Sequence, residues 1–223
     1  FHYNLKYKEF IRFIIKIKDF NLKGKLAHKK MVPYNRISEN EQNKINNFRY
    51  KEAAVLILIY PSDKGVPCFV LIERTISSGV HSGQISLPGG KKEKNDKSFW
   101  YTSIRETNEE IGVNLSKINF VKKMSCVYVP PSNFMIYPFI GYLDKCPYFN
   151  LQKEEVQNIF EINILDLLKN KNKSFSEVRS KYMNNNIKVP VYNFMDKIVW
   201  GATAMILSEF ELFISDNLKK KYI

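Results

Sequence analysis

Residues 89–112 read GGKKEKNDKSFWYTSIRETNEEIG, and what this stretch folds into decides the fold of the chain. Its second half places Glu106, Glu109 and Glu110 behind Arg105 in the register R-E-x-x-E-E-x-G. Ser98 is a helix-capping residue type and Gly112 a helix-ending one, which predicts a helix reaching Ile111. Each helical residue advances by about 100°. Glu110 then lies almost above Glu106, with Glu109 on the same side one position back. Carboxylates on one helical face repel one another by roughly a few tenths of a kcal/mol per pair. A surface helix has no structural reason to collect three of them. A hard divalent cation supplies one, because Mg²⁺ takes oxygen ligands and is usually held by a few carboxylates plus substrate phosphates.

Outward from this stretch, short apolar runs alternate with turns. Residues 53–60 form a continuous apolar run, as in a buried strand. Residues 61–65 read as a turn, and 68–73 as a second strand pairing with the first. Residues 79–84 form a loop, 85–87 a short strand delivering Gly89 and Gly90, and 91–97 a charged loop. Residues 121–129 and 135–143 predict strands around Pro130 and Pro131. Residues 162–168 predict a short helix, 184–186 a loop, and 202–217 a closing helix. Ser38 to Asn47 is polar and reads as a linker or short helix.

The stretch 105–113 resembles the Nudix box, whose common pattern is G-x5-E-x7-R-E-U-x-E-E-x-G-U with U aliphatic. Thr107 stands where an aliphatic residue is expected. Asp96 replaces the first glutamate, and one extra residue separates it from Arg105. Both features resemble the coenzyme A diphosphatase branch. So does the upstream run Arg74-Thr75 followed by His81-x-Gly83-Gln84-Ile85-Ser86-Leu87-Pro88-Gly89-Gly90. Downstream, Trp200-Gly201-Ala202-Thr203-Ala204 is similar to that branch's late W-G-x-T-A element. The resemblance covers roughly residues 50 to 215, and the motifs fall in order. The loop 130–134 departs from it: Ser132-Asn133-Phe134 stand where the branch usually carries a glycine.

The resemblance implies an α/β fold, an α/β/α sandwich with a mixed sheet. It implies hydrolysis of the diphosphate of coenzyme A or acyl-CoA, giving 4′-phosphopantetheine and adenosine 3′,5′-bisphosphate. Mg²⁺ or Mn²⁺ would be held by Glu106, Glu109 and Glu110 with the carbonyl of Gly89. Glu106 ligates or acts as base, and Arg105 orients a neighbouring glutamate. Glu155 resembles a downstream glutamate serving as an extra ligand or base. Arg74, His81, Gln84 and Gly90 are the expected substrate-binding residues. Arg74 either reaches a phosphate or pairs with an acid, and His81 either contacts phosphates or holds its loop. Glu93 and Asp96 are outer carboxylates of the site or merely solubilising. The rival readings are a diphosphatase for ADP-ribose, dinucleoside polyphosphates or capped RNA, and a basic nucleic-acid-binding protein on the same scaffold. No RNP-like or zinc-finger motif favours the last, and a homodimer is left open.

A chain of 223 residues can bury a full core. The expected division is a basic extension over 1–48 and the catalytic domain over 49–223. The formal charge is +13. Residues 1–31 hold nine Lys and Arg against Glu9 and Asp19, so much of the excess lies there. Compositional drift, steering of a polyanionic substrate and non-specific nucleic-acid binding would each explain it. Phe10, Ile11, Ile14, Ile15 and Ile17, interrupted by Arg12, Lys16 and Lys18, predict an amphipathic helix docked on the domain. A targeting segment and an interfacial helix are its alternatives. With no candidate ligand, residues 1–31 are expected to be dispensable for chemistry. The apolar runs are too short to span a bilayer. Cys68, Cys126 and Cys146 are odd in number with no C-x-x-C spacing, which points away from a disulfide framework. All three are read as buried or inert thiols. The expected setting is an intracellular reducing compartment, the cytoplasm or an organelle.

Overall fold

The computed structural model describes residues 5–33, 50–76, 82–180 and 185–222. The expected linker at 38–47, and His81 with the adjoining loop residues 77–80, lie outside the described residues.

At the centre, β1 (Lys51–Pro61) runs parallel to β7 (Phe134–Tyr142), from Lys51 opposite Phe134 to Ile59 opposite Tyr142. β2 (Pro67–Arg74) pairs antiparallel with β1 only near the turn that joins them, from Ile59 opposite Phe69 to Pro61 opposite Pro67. Beyond that the two strands part. β3 (Ile85–Ser86) then pairs with β2, and β4 (Gly89–Lys91) with β1. Residues 85–91 are thus wedged between two diverging strands, which brings Gly89 and Gly90 into the sheet's interior. β8 (Val156–Asn163) pairs with β2, and β5 (Asn119–Lys123) and β6 (Val127–Val129) pair with β7. The result is an 8-stranded mixed sheet.

Alternate residues of a strand face opposite sides. Ile57, Ile59, Phe69 and Leu71 face one core together with α1 (Tyr7–Ile17) and the closing helix α5 (Gly201–Tyr222). Leu56, Leu58, Val70 and Ile72 face the other, with Ile104 and Ile111 of α3 (Phe99–Ile111). Helices therefore cover both faces, giving the expected sandwich with a mixed sheet.

The segment 5–33 packs into the first of these cores. Phe10 and Ile14 are wholly buried. The Tyr7 N–H donates to Gly65 O at 2.9 Å, and its hydroxyl donates to Leu143 O. Next comes α2 (Lys25–His28). Buried Glu209 of α5 accepts the N–H of Gly24 at 2.8 Å and that of Ser125 at 3.0 Å, and lies 3.7 Å from His28 Nε2.

Three expectations need correction. Residues 121–129 are not one strand: β5 and β6 are separated at 124–126, where their partner β7 carries Pro138. Proline has no N–H for the ladder; Met124 N–H donates to Pro138 O at 2.9 Å, and Ser125 is drawn to Glu209. Residues 162–168 are not one helix, since Ile162 belongs to β8 and only α4 (Ile164–Leu167) is helical. Asn185 and Asn186 open a strand rather than a loop, and Asn184 lies outside the described residues. That strand, β10 (Asn185–Phe194), forms an antiparallel sheet with β9 (Lys173–Ser180) and β11 (Lys197–Val199).

The three cysteines are free thiols, Cys68 buried and Cys126 and Cys146 exposed. No helix of the described residues is long and apolar enough to cross a membrane.

Candidate active site

Ser98 caps α3, its Oγ accepting the Tyr101 N–H at 3.0 Å. Gly112 ends the helix in the left-handed conformation, φ 73°. Between these caps the helix lies over β4. Gly89 sits at φ 142°, and a Cβ there would come within 2.3 Å of Ala54 O; only glycine fits. At Gly90 a Cβ would fall 2.3 Å from Glu106 Oε2. The two glycines therefore let the strand backbone and the helix carboxylates meet.

Glu110 is 1% exposed. Its Oε2 accepts the Gly89 N–H at 2.8 Å, and its Oε1 lies 3.3 Å from Arg74 Nη1. Burial pushes its carboxyl up to about 8; Gly89 and Arg74 oppose the rise, while Glu106 and Glu155 add to it. Burial raises the Glu106 carboxyl too, against the pull of Arg105 and with the push of Glu109 and Glu155. The structure thus gathers Glu106, Glu110, Gly89, Gly90, Arg74 and Glu155 around one electrostatically coupled centre. Arg74 thus pairs with an acid, and 35% of its side chain is left exposed. The backbone O of Gln84 accepts the Arg74 N–H at 3.1 Å, which ties the upstream motif to the same place. Glu109 stands apart. Its side chain is 54% exposed and accepts from Arg105 Nη1 at 2.7 Å. Among the described residues, no three His, Cys, Asp or Glu side chains converge as they lie into a set that could hold a metal.

Arg105 forks onto Asp96, with Nε to Oδ1 at 2.9 Å and Nη2 to Oδ2 at 3.0 Å. It also donates to Glu106 Oε1 at 2.9 Å and to Lys91 O at 3.1 Å. The partner of the expected fork is thus Asp96, and Glu106 and Glu109 take single contacts. Asp96 is buried and also accepts from the Glu93 N–H and the Thr102 hydroxyl, each at 2.9 Å. The guanidinium holds its carboxyl down to about 2. Of the alternatives for Asp96, solubilising is excluded by this burial. Thr102 was no sequence candidate; a hydroxyl in the first turn of the helix, six residues after Asp96, is the signal that was available. A cavity of about 350 Å³ lined by Cys68, Glu161, Asp166, Lys171 and Asn193 shares no residue with this centre.

A model of the NUDIX domain matches residues 50–180. Among curated proteins, "Nudix hydrolase 15, mitochondrial" of Arabidopsis thaliana is 32% identical over 168 residues, which cover 73% of this chain and 58% of that protein. "Nudix hydrolase 22, chloroplastic" of the same plant is 32% identical over 166 residues, 72% of this chain and 54% of the relative. The chain thus spans little more than half the length of these two relatives. "Uncharacterized Nudix hydrolase NudL" of Pectobacterium atrosepticum is 27% identical, over 75% of this chain and 84% of that protein. Among solved structures, a MutT/nudix family protein from Enterococcus faecalis superposes with a TM-score of 0.51 at 13% identity, covering 87% of this chain and 75% of that one. That likeness is one of fold.

Proposed function

The chain belongs to the Nudix family, and on that premise we propose that it hydrolyses the diphosphate of coenzyme A or an acyl-CoA. The observation that carries this reading is the junction at Glu110. There the helix of the Nudix box meets Gly89 of the upstream motif at 2.8 Å and Arg74 of the same motif at 3.3 Å. Two residues of the upstream motif, Arg74 and Gly89, therefore meet the helix of the box, which supports the coenzyme A reading.

The chemistry of the donors, oxygen ligands throughout, suits a hard divalent cation once a third carboxylate is drawn in beside Glu106 and Glu110. Glu106 and Glu110 sit in surroundings that disfavour their charge: burial raises both, Glu106 adds to the rise of Glu110, and Glu155 adds to each. A cation beside them would compensate that cost. Glu106 and Glu110, with Glu109 or Glu155 and the Gly89 carbonyl, would hold Mg²⁺ or Mn²⁺. When bound, the metal neutralises the diphosphate and lowers the pKa of bound water. The chain's own part is positioning, which is most of what phosphoryl transfer requires of a protein. Arg105, clamped by Asp96, fixes Glu106. The Gly89 N–H fixes Glu110. Arg74, with 35% of its side chain exposed, offers a guanidinium to a phosphate oxygen at the edge of the centre. Glu155 is exposed beside them and is the candidate base.

The test is a hydrolysis panel with Mg²⁺ and Mn²⁺ over CoA, acyl-CoA, ADP-ribose, diadenosine polyphosphate and capped RNA, with products identified. Adenosine 3′,5′-bisphosphate and 4′-phosphopantetheine as the fastest-formed pair is the expected result. Faster turnover of any of the others would move the reading to that substrate. Turnover of none, by metal-loaded folded protein, would leave a binding scaffold.

A further inference from the structure

We propose that the outer face of residues 5–30 docks the protein on an anionic lipid surface. The inference does not rest on the hydrolytic reading. All nine basic residues of this stretch are exposed, against two exposed acids, Glu9 and Asp19, a net of +7. On α1 the buried side is taken by Phe10, Ile14 and Ile17. At about 100° per residue the opposite stripe consists of Lys8, Arg12, Ile15 and Lys16. The chain continues through Phe20 to α2 and the turn after it, where exposed Lys25, Lys29 and Lys30 flank Leu26 in sequence. Three large apolar side chains protrude among these cations: Ile15 is 40% exposed, Phe20 45% and Leu26 66%.

This pairing of features selects the partner. Cations alone would suit any polyanion. A nucleic-acid backbone has no use for protruding aliphatic groups, whereas a bilayer takes up apolar side chains beneath its headgroups while cations meet its anionic lipids. The stretch is anchored from behind, Tyr7 to Gly65 and Gly24 to Glu209, so its outer face is presented without loss of the fold.

The experiment is flotation of the full chain with phosphatidylcholine vesicles, with and without phosphatidylserine, at increasing salt. Binding is expected only with phosphatidylserine, and should weaken as salt rises. Arg12→Gln with Lys16→Gln should weaken it roughly 25-fold, at about fivefold per charge removed. Ile15→Ser with Leu26→Ser should weaken it about tenfold or more. Melting temperature and turnover of a water-soluble substrate should be unchanged in both variants. Absence of phosphatidylserine-dependent binding overturns the proposal. So does binding that ignores the Ile15 and Leu26 substitutions while a labelled RNA oligonucleotide binds at the same salt, which would assign the strip to nucleic acid.

Discussion

Glu109 and Glu110 are neighbours in sequence with different surroundings. Glu110 is buried against Gly89, and Glu109 faces solvent beside Arg105. Glu110→Gln keeps an oxygen for the Gly89 N–H, so the fold should survive. The lost charge should cost several kcal/mol of transition-state stabilisation, about 100-fold or more in kcat. Glu109→Gln should lose less. Kinetics at saturating metal, with circular dichroism as the fold control, check both; equal losses would mean that exposure does not rank the ligands. Asp96 gives a pH test. Its carboxyl is held below its ordinary value, so the folded state binds fewer protons than the unfolded one near pH 3. The stability it contributes is therefore present above the unfolded value of 3.8 and disappears as pH falls through about 2. Asp96→Asn should cost about 2 kcal/mol at neutral pH, and urea unfolding should find that difference shrinking from pH 4 downward. The shared face of Glu106 and Glu110 was legible because helical spacing alone places it; the exposure of Glu109 beside Arg105 was not. The weight of Asp96 was not, because its fork with Arg105 depends on a loop closing over a helix, a tertiary contact with no periodicity.

At the scale of elements, β1, β2 and β7 were legible as apolar runs, since residues buried on both faces leave no alternation to misread; β8, mostly exposed or half-buried, was not. β9 to β11 were not: residues 173–188 are rich in Lys, Ser and Asn, and their inner face is supplied by only a few residues such as Val189 and Val191. The break between β5 and β6 was hidden too, because its cause, Pro138, lies on the partner strand. Glu209 organises that break from α5. It accepts from Ser125 on one side and Gly24 on the other, both at 3.0 Å or less. Glu209→Ala should leave two backbone donors without their acceptor, at about 1–3 kcal/mol each. A lower urea midpoint with unchanged slope is the expected readout, and an unaltered midpoint would mean water replaces the carboxylate freely.

For the whole molecule, residues 5–33 dock on the domain as the amphipathic pattern predicts, and their burial bears on the expectation that 1–31 are dispensable for chemistry. They bring no ligand to the centre, yet Tyr7, Phe10, Ile11, Phe13, Ile14 and Ile17 are all buried in the core behind the sheet. At about 1.5–3 kcal/mol per buried large side chain, their loss rivals a typical net stability of about 5–15 kcal/mol. A chain starting near Met31 should therefore aggregate or melt far below the full chain, and lose activity through unfolding; scanning calorimetry on both lengths decides it. The parallel pairing of β1 with β7 carries a consequence for order of assembly. Residue 51 finds its partner only at residue 134, so the central pair closes a loop that contains the whole catalytic helix. Loop closure of that span is costly and slow. During synthesis, the carboxylate-bearing helix is made before the strand that completes its platform. A nascent or interrupted chain would hold its acidic cluster over β1 and β4 with β7 still missing, so full cation affinity should arise only when that strand joins, as a marker of completed folding.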